Sequence, residues 1–195
     1  MFTGIVTDLG RVRSVERRGD ARVTIETAYD TAGIDLGASI ACSGVCLTVV
    51  EMGPGWFACD VSAETLARST AANWQAGTPI NLERSLKVGD ELGGHLVYGH
   101  VDGVGKVLAR TADGESHRLR FSVPADLLRL IAVKGSIAVD GVSLTVNKVG
   151  DDGFEATVIP HTARATTLGA CRPGTRVNLE IDMLARYVQR LLAKD

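Results

Sequence analysis

Apolar and polar residues alternate along much of this chain with the period of a half-buried β-strand. ARVTIETA (Ala21 to Ala28) and HRLRFSVP (His117 to Pro124) show it most plainly, with one face for a core and one for water. Shorter apolar runs, Trp56 to Val61 and Phe154 to Ile159, follow the turn-rich EMGPG and VGDDG and read as further strands. The pattern is written twice. SIACSGVCLTV (Ser39 to Val49) is echoed by SIAVDGVSLTV (Ser136 to Val146), and GTPINLE (Gly77 to Glu83) by GTRVNLE (Gly174 to Glu180), both at an offset of 97 residues. MFTGIVTDLGRV and LVYGHVDGVGKV form a third pair at an offset of 95, predicting an opening strand in each half with Gly4 set against Gly99 and Gly10 against Gly105.

Each half thus offers about six short strands without βαβ alternation, and a closed barrel hides the edges that an open sheet would leave free. VSAETLARST and VIPHTARATT each read as a strand end followed by a turn of helix. PADLLRLIAVKG predicts a helix from Pro124 to Gly135, with Leu127, Leu128, Leu130 and Ile131 on one side; YDTAGIDLG is weaker, so the halves differ there. Beyond the second copy, Leu184, Tyr187, Val188, Leu191 and Leu192 fall at helical spacing after a capping Asp182. Such a helix gains stability only by packing, either on its own barrel or between subunits. The chain is accordingly read as all-β, with two tandem homologous six-stranded Greek-key β-barrels, residues 1–94 and 95–182, and a C-terminal α-helix, residues 183–195, as an oligomerisation element.

Composition narrows the functions. Hydrophobic residues make up 45% and charged residues 23%, ordinary for a globular protein, and the net charge of -2 is not blocked into a patch that would steer nucleic acid or a membrane. No apolar run reaches the roughly 18 residues of a membrane span, and MFTGIV lacks the features of a secretory signal, so a cytoplasmic location is expected. Cys42, Cys46, Cys59 and Cys171 form no CxxC pair, which argues against a metal site. GHVDGVGKV has Val107 where a phosphate loop needs Ser or Thr, and no GxSxG or HExxH occurs.

What remains is a pair of sites on equivalent segments, and here several unusual strings act together. MFTGIV, GVCLTV, GVSLTV, GGHLVYGHV (Gly93 to Val101), KGSIAVDG from Lys134 and NLEID from Asn178 resemble riboflavin synthase of the trimeric, α-chain type across essentially the whole chain. The resemblance implies that two molecules of 6,7-dimethyl-8-ribityllumazine exchange a four-carbon unit, giving riboflavin and 5-amino-6-(D-ribitylamino)uracil with no redox cofactor. It also implies a homotrimer in which the first barrel of one subunit faces the second barrel of its neighbour, and an association with lumazine synthase. Two nearly identical sites are what a reaction between two identical molecules needs.

That chemistry removes a proton from an acidic ring methyl and adds a nucleophile or activated water to the second ring. The resemblance nominates His100, Ser143, Thr145, Cys46, Lys134 and Asp182 for it, with Phe2 and Ser39 near the ring. It places substrate against Gly4, Ile5 and Val6 in one half and Gly99 and Val101 in the other, and against Leu47, Thr48 and Leu144. Two matched runs complete the sites, Asp60, Val61, Ser62, Ala63, Glu64 and Thr65 with Val158, Ile159, Pro160, His161, Thr162 and Ala163; Glu64 and His161 are polar partners for the ribityl chain.

Each residue also has a plainer reading. His100 stands where the first copy has Ile5, so it is either a proton carrier or a core histidine bonded to backbone. Ser143, opposite Cys46 in the repeat, either lines the site by being small or acts in it. Thr48 and Thr145 are common strand residues, Lys134 complements a helix dipole and Asp182 caps a helix. Relatives often carry two adjacent Cys where this chain has Val45 and Cys46, so a dithiol role is excluded at that position. The rival to the enzyme is a non-catalytic lumazine- or flavin-binding protein, which needs one pocket rather than two; a purely structural repeat is the third reading.

Overall fold

A computed structural model describes residues 1–193; Lys194 and Asp195, assigned above to the terminal helix segment, lie outside the described residues. The first half forms β1 (Asp8–Arg18), β2 (Asp20–Glu26), β3 (Ser39–Cys42), β4 (Val45–Gly53), β5 (Trp56–Val61), α1 (Ala63–Arg68) and β6 (Pro79–Arg84). The second forms β7 (Gly103–Asp113), β8 (Ser116–Ser122), α2 (Ala125–Leu128), β9 (Ser136–Val139), β10 (Val142–Val149), β11 (Gly153–Val158), α3 (Pro160–Ala165) and β12 (Arg176–Ile181), followed by α4 (Met183–Leu192).

Both halves close into antiparallel six-stranded barrels with the same order, β1-β2-β5-β4-β3-β6 and β7-β8-β11-β10-β9-β12. Alternation fills each interior. Val23, Ile25, Phe57, Ile80 and Leu82 are wholly buried in the first barrel, and Leu119, Phe121, Ile137, Phe154 and Leu179 in the second, where the two Phe rings stack with centroids 5.1 Å apart. Each such side chain contributes about 1.5–3 kcal/mol by leaving water. Closing so small a barrel needs sharp coiling, supplied by bulges at matched places: Val12/Ser14 and Val107/Ala109 in β1 and β7, Val49/Glu51 and Val146/Lys148 in β4 and β10.

Two sequence expectations are corrected. The opening strands do not start at Met1 and Leu96. Gly4 and Gly99, at φ of 78° and 74°, turn the chain out of the extended conformation, and the strands proper begin only at Asp8 and Gly103. The helix expected from Pro124 to Gly135 shrinks to the four residues of α2; Leu127, Leu128, Leu130 and Ile131 still pack on the second core, so burial is met without a continuous helix. Lys134 therefore ends no helix. It takes the left-handed conformation (φ 69°) in the turn before β9, and its N–H donates to Val146 O at 2.8 Å, as Gly37 (φ 85°) donates to Val49 O in the first half. A side chain has been placed where the fold calls for glycine, a strain of the kind met at functional sites.

The C-terminal helix is capped as expected, Asp182 Oδ1 accepting from the Leu184 N–H at 2.9 Å. Its apolar side is not covered by its own barrel: Leu184, Tyr187, Val188, Leu191 and Leu192 are all at least 54% exposed. Among the described residues no helix is long and apolar enough to cross a membrane.

Candidate functional site

The residues ahead of β1 and β7 cross over to the opposite barrel. Ser143 N–H donates to Gly4 O at 2.8 Å and Cys46 N–H to Gly99 O at 2.8 Å, so residues 3–6 lie on β10 while residues 98–101 lie on β4. Val6 accordingly packs on the second core and Val101 on the first. Between the crossings, Phe2 and Val97 exchange backbone bonds of 2.7 and 3.0 Å, and Phe2 is fully buried with Ala41, Val97 and Ala138. The two halves are thus related by an approximate twofold rotation through this point.

Glutamates from the NLE echoes hold each crossing by its backbone. Glu83 accepts from the Thr3 N–H (2.6 Å), the Thr3 hydroxyl (2.7 Å) and the Gly4 N–H (2.9 Å); Glu180 accepts from the N–H groups of Tyr98, Gly99 and His100 at 2.7, 2.8 and 3.0 Å. Burial pushes both carboxyls up, Glu180 to about 7, and the donated N–H bonds oppose it. The matching asparagines tie the barrels together, Asn81 Nδ2 donating to Asp140 O and Asn178 Nδ2 to Ser43 O at 2.9 and 2.8 Å. The glycines cannot be replaced without strain: a Cβ on Gly4 would lie 2.6 Å from Ser143 Cβ, and one on Gly99 2.6 Å from Cys46 Cβ. Cys46 and Ser143 are therefore small for a reason besides ligand approach, since each has a crossing segment against it.

On the first barrel the crossing completes a groove of about 380 Å³ whose walls include Cys46 of β4, Glu64, Thr65 and Arg68 of α1, and Gly99, His100, Val101 and Asp102. His100 is exposed in it, 5.9 Å from the Tyr98 ring, which answers the core-histidine reading: its side chain is free in the groove while its backbone N–H is held. On the second barrel a different set meets. His95 is buried, and its Nδ1 lies 2.7 Å from Ser143 Oγ; burial lowers its pKa, while the Asp182 charge acts in the opposite sense. Ser143 thus pairs with a histidine that reading the repeat does not single out, and not with His100.

A lumazine binding domain matches the chain twice, over residues 3–85 and 98–182. The chain is 51% identical over 197 residues to the riboflavin synthase of Brucella abortus (strain 2308), with 98% of each chain covered. It belongs to the riboflavin synthase family. Similarity to other members is also full-length, at 48% to the riboflavin synthase of Mycobacterium bovis, covering 98% of both chains, and 39% to that of Actinobacillus pleuropneumoniae, covering all of this chain and 91% of the other. Among solved structures, LumP complexed with riboflavin superposes with a TM-score of 0.86 at 25% identity, covering 93% of this chain and 99% of that one.

Against this family background the expected site residues divide into groups. Cys46, Glu64, Thr65, Gly99, His100 and Val101 meet in the first-barrel groove. Thr48 and Thr145 are exposed on β4 and β10, cross-strand from the half-buried Ser39 and Ser136. Gly4, Ile5 and Val6 reach the second barrel beside Ser143, while His161, Thr162 and Ala163 sit on α3 after Ile159 and Pro160, as Asp60, Ser62 and Ala63 precede or begin α1. Asp60 is engaged elsewhere, in an exposed ion pair with Arg22. The side chains of Leu47, Val61, Leu144 and Val158 point into the barrel cores, leaving only backbone to face a ligand, and Phe2 lies behind the sites rather than in them. Glu83, Glu180, His95 and Asp102 are the residues that sequence reasoning passed over. The first two stand in the NLE echo, so position in a repeated string was the signal to follow for them; His95, in GGHLVYGHV just ahead of the repeat, had no such signal. All four cysteines are free, and among the described residues no three metal-ligating side chains cluster.

Proposed function

We propose that the protein is a riboflavin synthase, transferring a four-carbon unit between two 6,7-dimethyl-8-ribityllumazine molecules to give riboflavin and 5-amino-6-(D-ribitylamino)uracil. What supports this beyond family membership is that the two halves share one backbone plan yet gather different polar groups, His100 with Cys46 on the first barrel and His95 with Ser143 on the second, as one donor and one acceptor of the same compound require. His95 lowered by burial is neutral near pH 7, so its Nδ1 can take the Ser143 hydroxyl proton while Oγ takes a proton from the acidic methyl; Asp182 stabilises the resulting imidazolium. Lys134 and Thr145 bind around the same ring, and His100 with Cys46 serves the partner molecule. Glu64 and His161 bind the ribityl chains.

The same reading makes the protein a cytoplasmic homotrimer in which the uncovered side of α4 packs between subunits and first and second barrels of neighbours face each other. The fold likeness to LumP supports a second reading, ligand holding without turnover. Incubating the pure protein with the lumazine alone separates them. Riboflavin at half the lumazine consumed supports the synthase, and saturable binding without product supports the holder.

A further inference from the structure

We infer that Asp102 and Arg186 form a clasp that positions the His100 segment, making the first turns of α4 a working part of the first-barrel groove. This rests on the functional reading above. Asp102 lies two residues beyond His100 and lines the groove. Its Oδ2 accepts from the Ile181 N–H and from Arg186 Nη2, both at 2.8 Å, with only 14% of the Asp102 side chain exposed. His100 is therefore held between two anchors, the Glu180 carboxylate on its own N–H and the Asp102 carboxylate just downstream.

The first half shows that the fold itself does not ask for this carboxylate. Its counterpart is Thr7, whose N–H donates to Leu82 O at 3.0 Å as the Asp102 N–H donates to Leu179 O at 2.8 Å, but whose hydroxyl lies 2.5 Å from Tyr29 OH. The backbone bond closes either barrel; the carboxylate is added only where a histidine precedes it and a helix follows. Nor is the pair a simple source of stability. A half-buried ion pair roughly offsets its own desolvation, and Arg186 Nε is buried with no hydrogen-bond partner among the described residues. What it supplies is position, and misplacing a reacting group by about 1 Å lowers a rate by about a hundredfold.

The test is a mutant cycle in the full-length protein, with kcat and KM for the lumazine measured beside thermal unfolding. Asp102→Ala and Arg186→Ala are each expected to lower kcat by about tenfold or more with KM changed by less than about twofold, and the double variant to do no worse than the poorer single. Arg186→Lys should recover part of the loss, keeping charge without the fork geometry. Arg118→Ala, which breaks an exposed pair with Asp113 in the β7–β8 hairpin, is the control expected to leave kcat unchanged. Parental kcat in Asp102→Ala, losses that multiply in the double variant, or losses that merely follow unfolding at the assay temperature would each overturn the clasp while leaving the functional reading intact. A parental protein that makes no riboflavin would overturn both.

Discussion

In each barrel a glycine at positive φ carries the chain across to its neighbour, but the residue after it is Ile5 in one half and His100 in the other. The same division recurs throughout. Several positions that build the frame are identical, as with Gly4 and Gly99, Glu83 and Glu180, Asn81 and Asn178, whereas positions that face the sites or their supports have diverged: Thr7 and Asp102, Gly37 and Lys134, Cys46 and Ser143, Glu64 and His161. Duplication gave two equal frames, and chemistry between two equal molecules required unequal contents.

The sharpest way to break that comparison is to remove what only the second barrel has. His95→Ala or Ser143→Ala should lower kcat by about 10²-fold or more, since each removes half of the 2.7 Å pair proposed to move the proton, with steady-state riboflavin formation as the assay. His100→Ala should act through the other groove and change lumazine affinity as well. Next come the shared parts. Gly4→Ala and Gly99→Ala each force a Cβ against the opposite barrel at positive φ and should destabilise by about 2–4 kcal/mol in urea unfolding, with equal costs if the frames are equal. Glu180→Gln should cost about 1–3 kcal/mol, because the amide keeps one acceptor oxygen and turns an NH2 group toward N–H groups that now meet the other.

A smaller effect follows from Asp140, whose counterpart Ser43 does not titrate. Complete burial pushes this carboxyl up from 3.8 to about 7. Between those values the folded protein keeps a proton that the unfolded chain has released, so stability falls as pH rises through the window and the fall is complete above about 7. Asp140→Ser should flatten thermal unfolding between pH 5 and 8 by on the order of 2 kcal/mol, leaving the Glu180 contribution in place.

Much of the frame was legible before any coordinates. The repeats with alternating strands implied two closed barrels, and Asp182 announced the last helix. The crossings were not legible, because alternation reports which face is buried and not which barrel buries it; Gly4 and Gly99 looked like strand glycines until their φ values were known. His95 was missed for a related reason: at the offset of its segment its counterpart would precede Met1, so comparing halves had nothing to set beside it. Glu83 and Glu180 read as strand positions because only folding brings the crossing N–H groups to them. The helix expected before Gly135 failed since four leucine and isoleucine side chains reach the core equally well from a short turn.

The proposed function requires two unequal sites per chain, each completed by the segment that crosses from the other barrel. Titrating the protein with riboflavin, and comparing Gly4→Ala and Gly99→Ala, tests this directly. Two bound ligands per chain of different affinity, with each variant losing a different one, is the predicted result. A single class of site in the parental protein, or the same site lost in both variants, would contradict it.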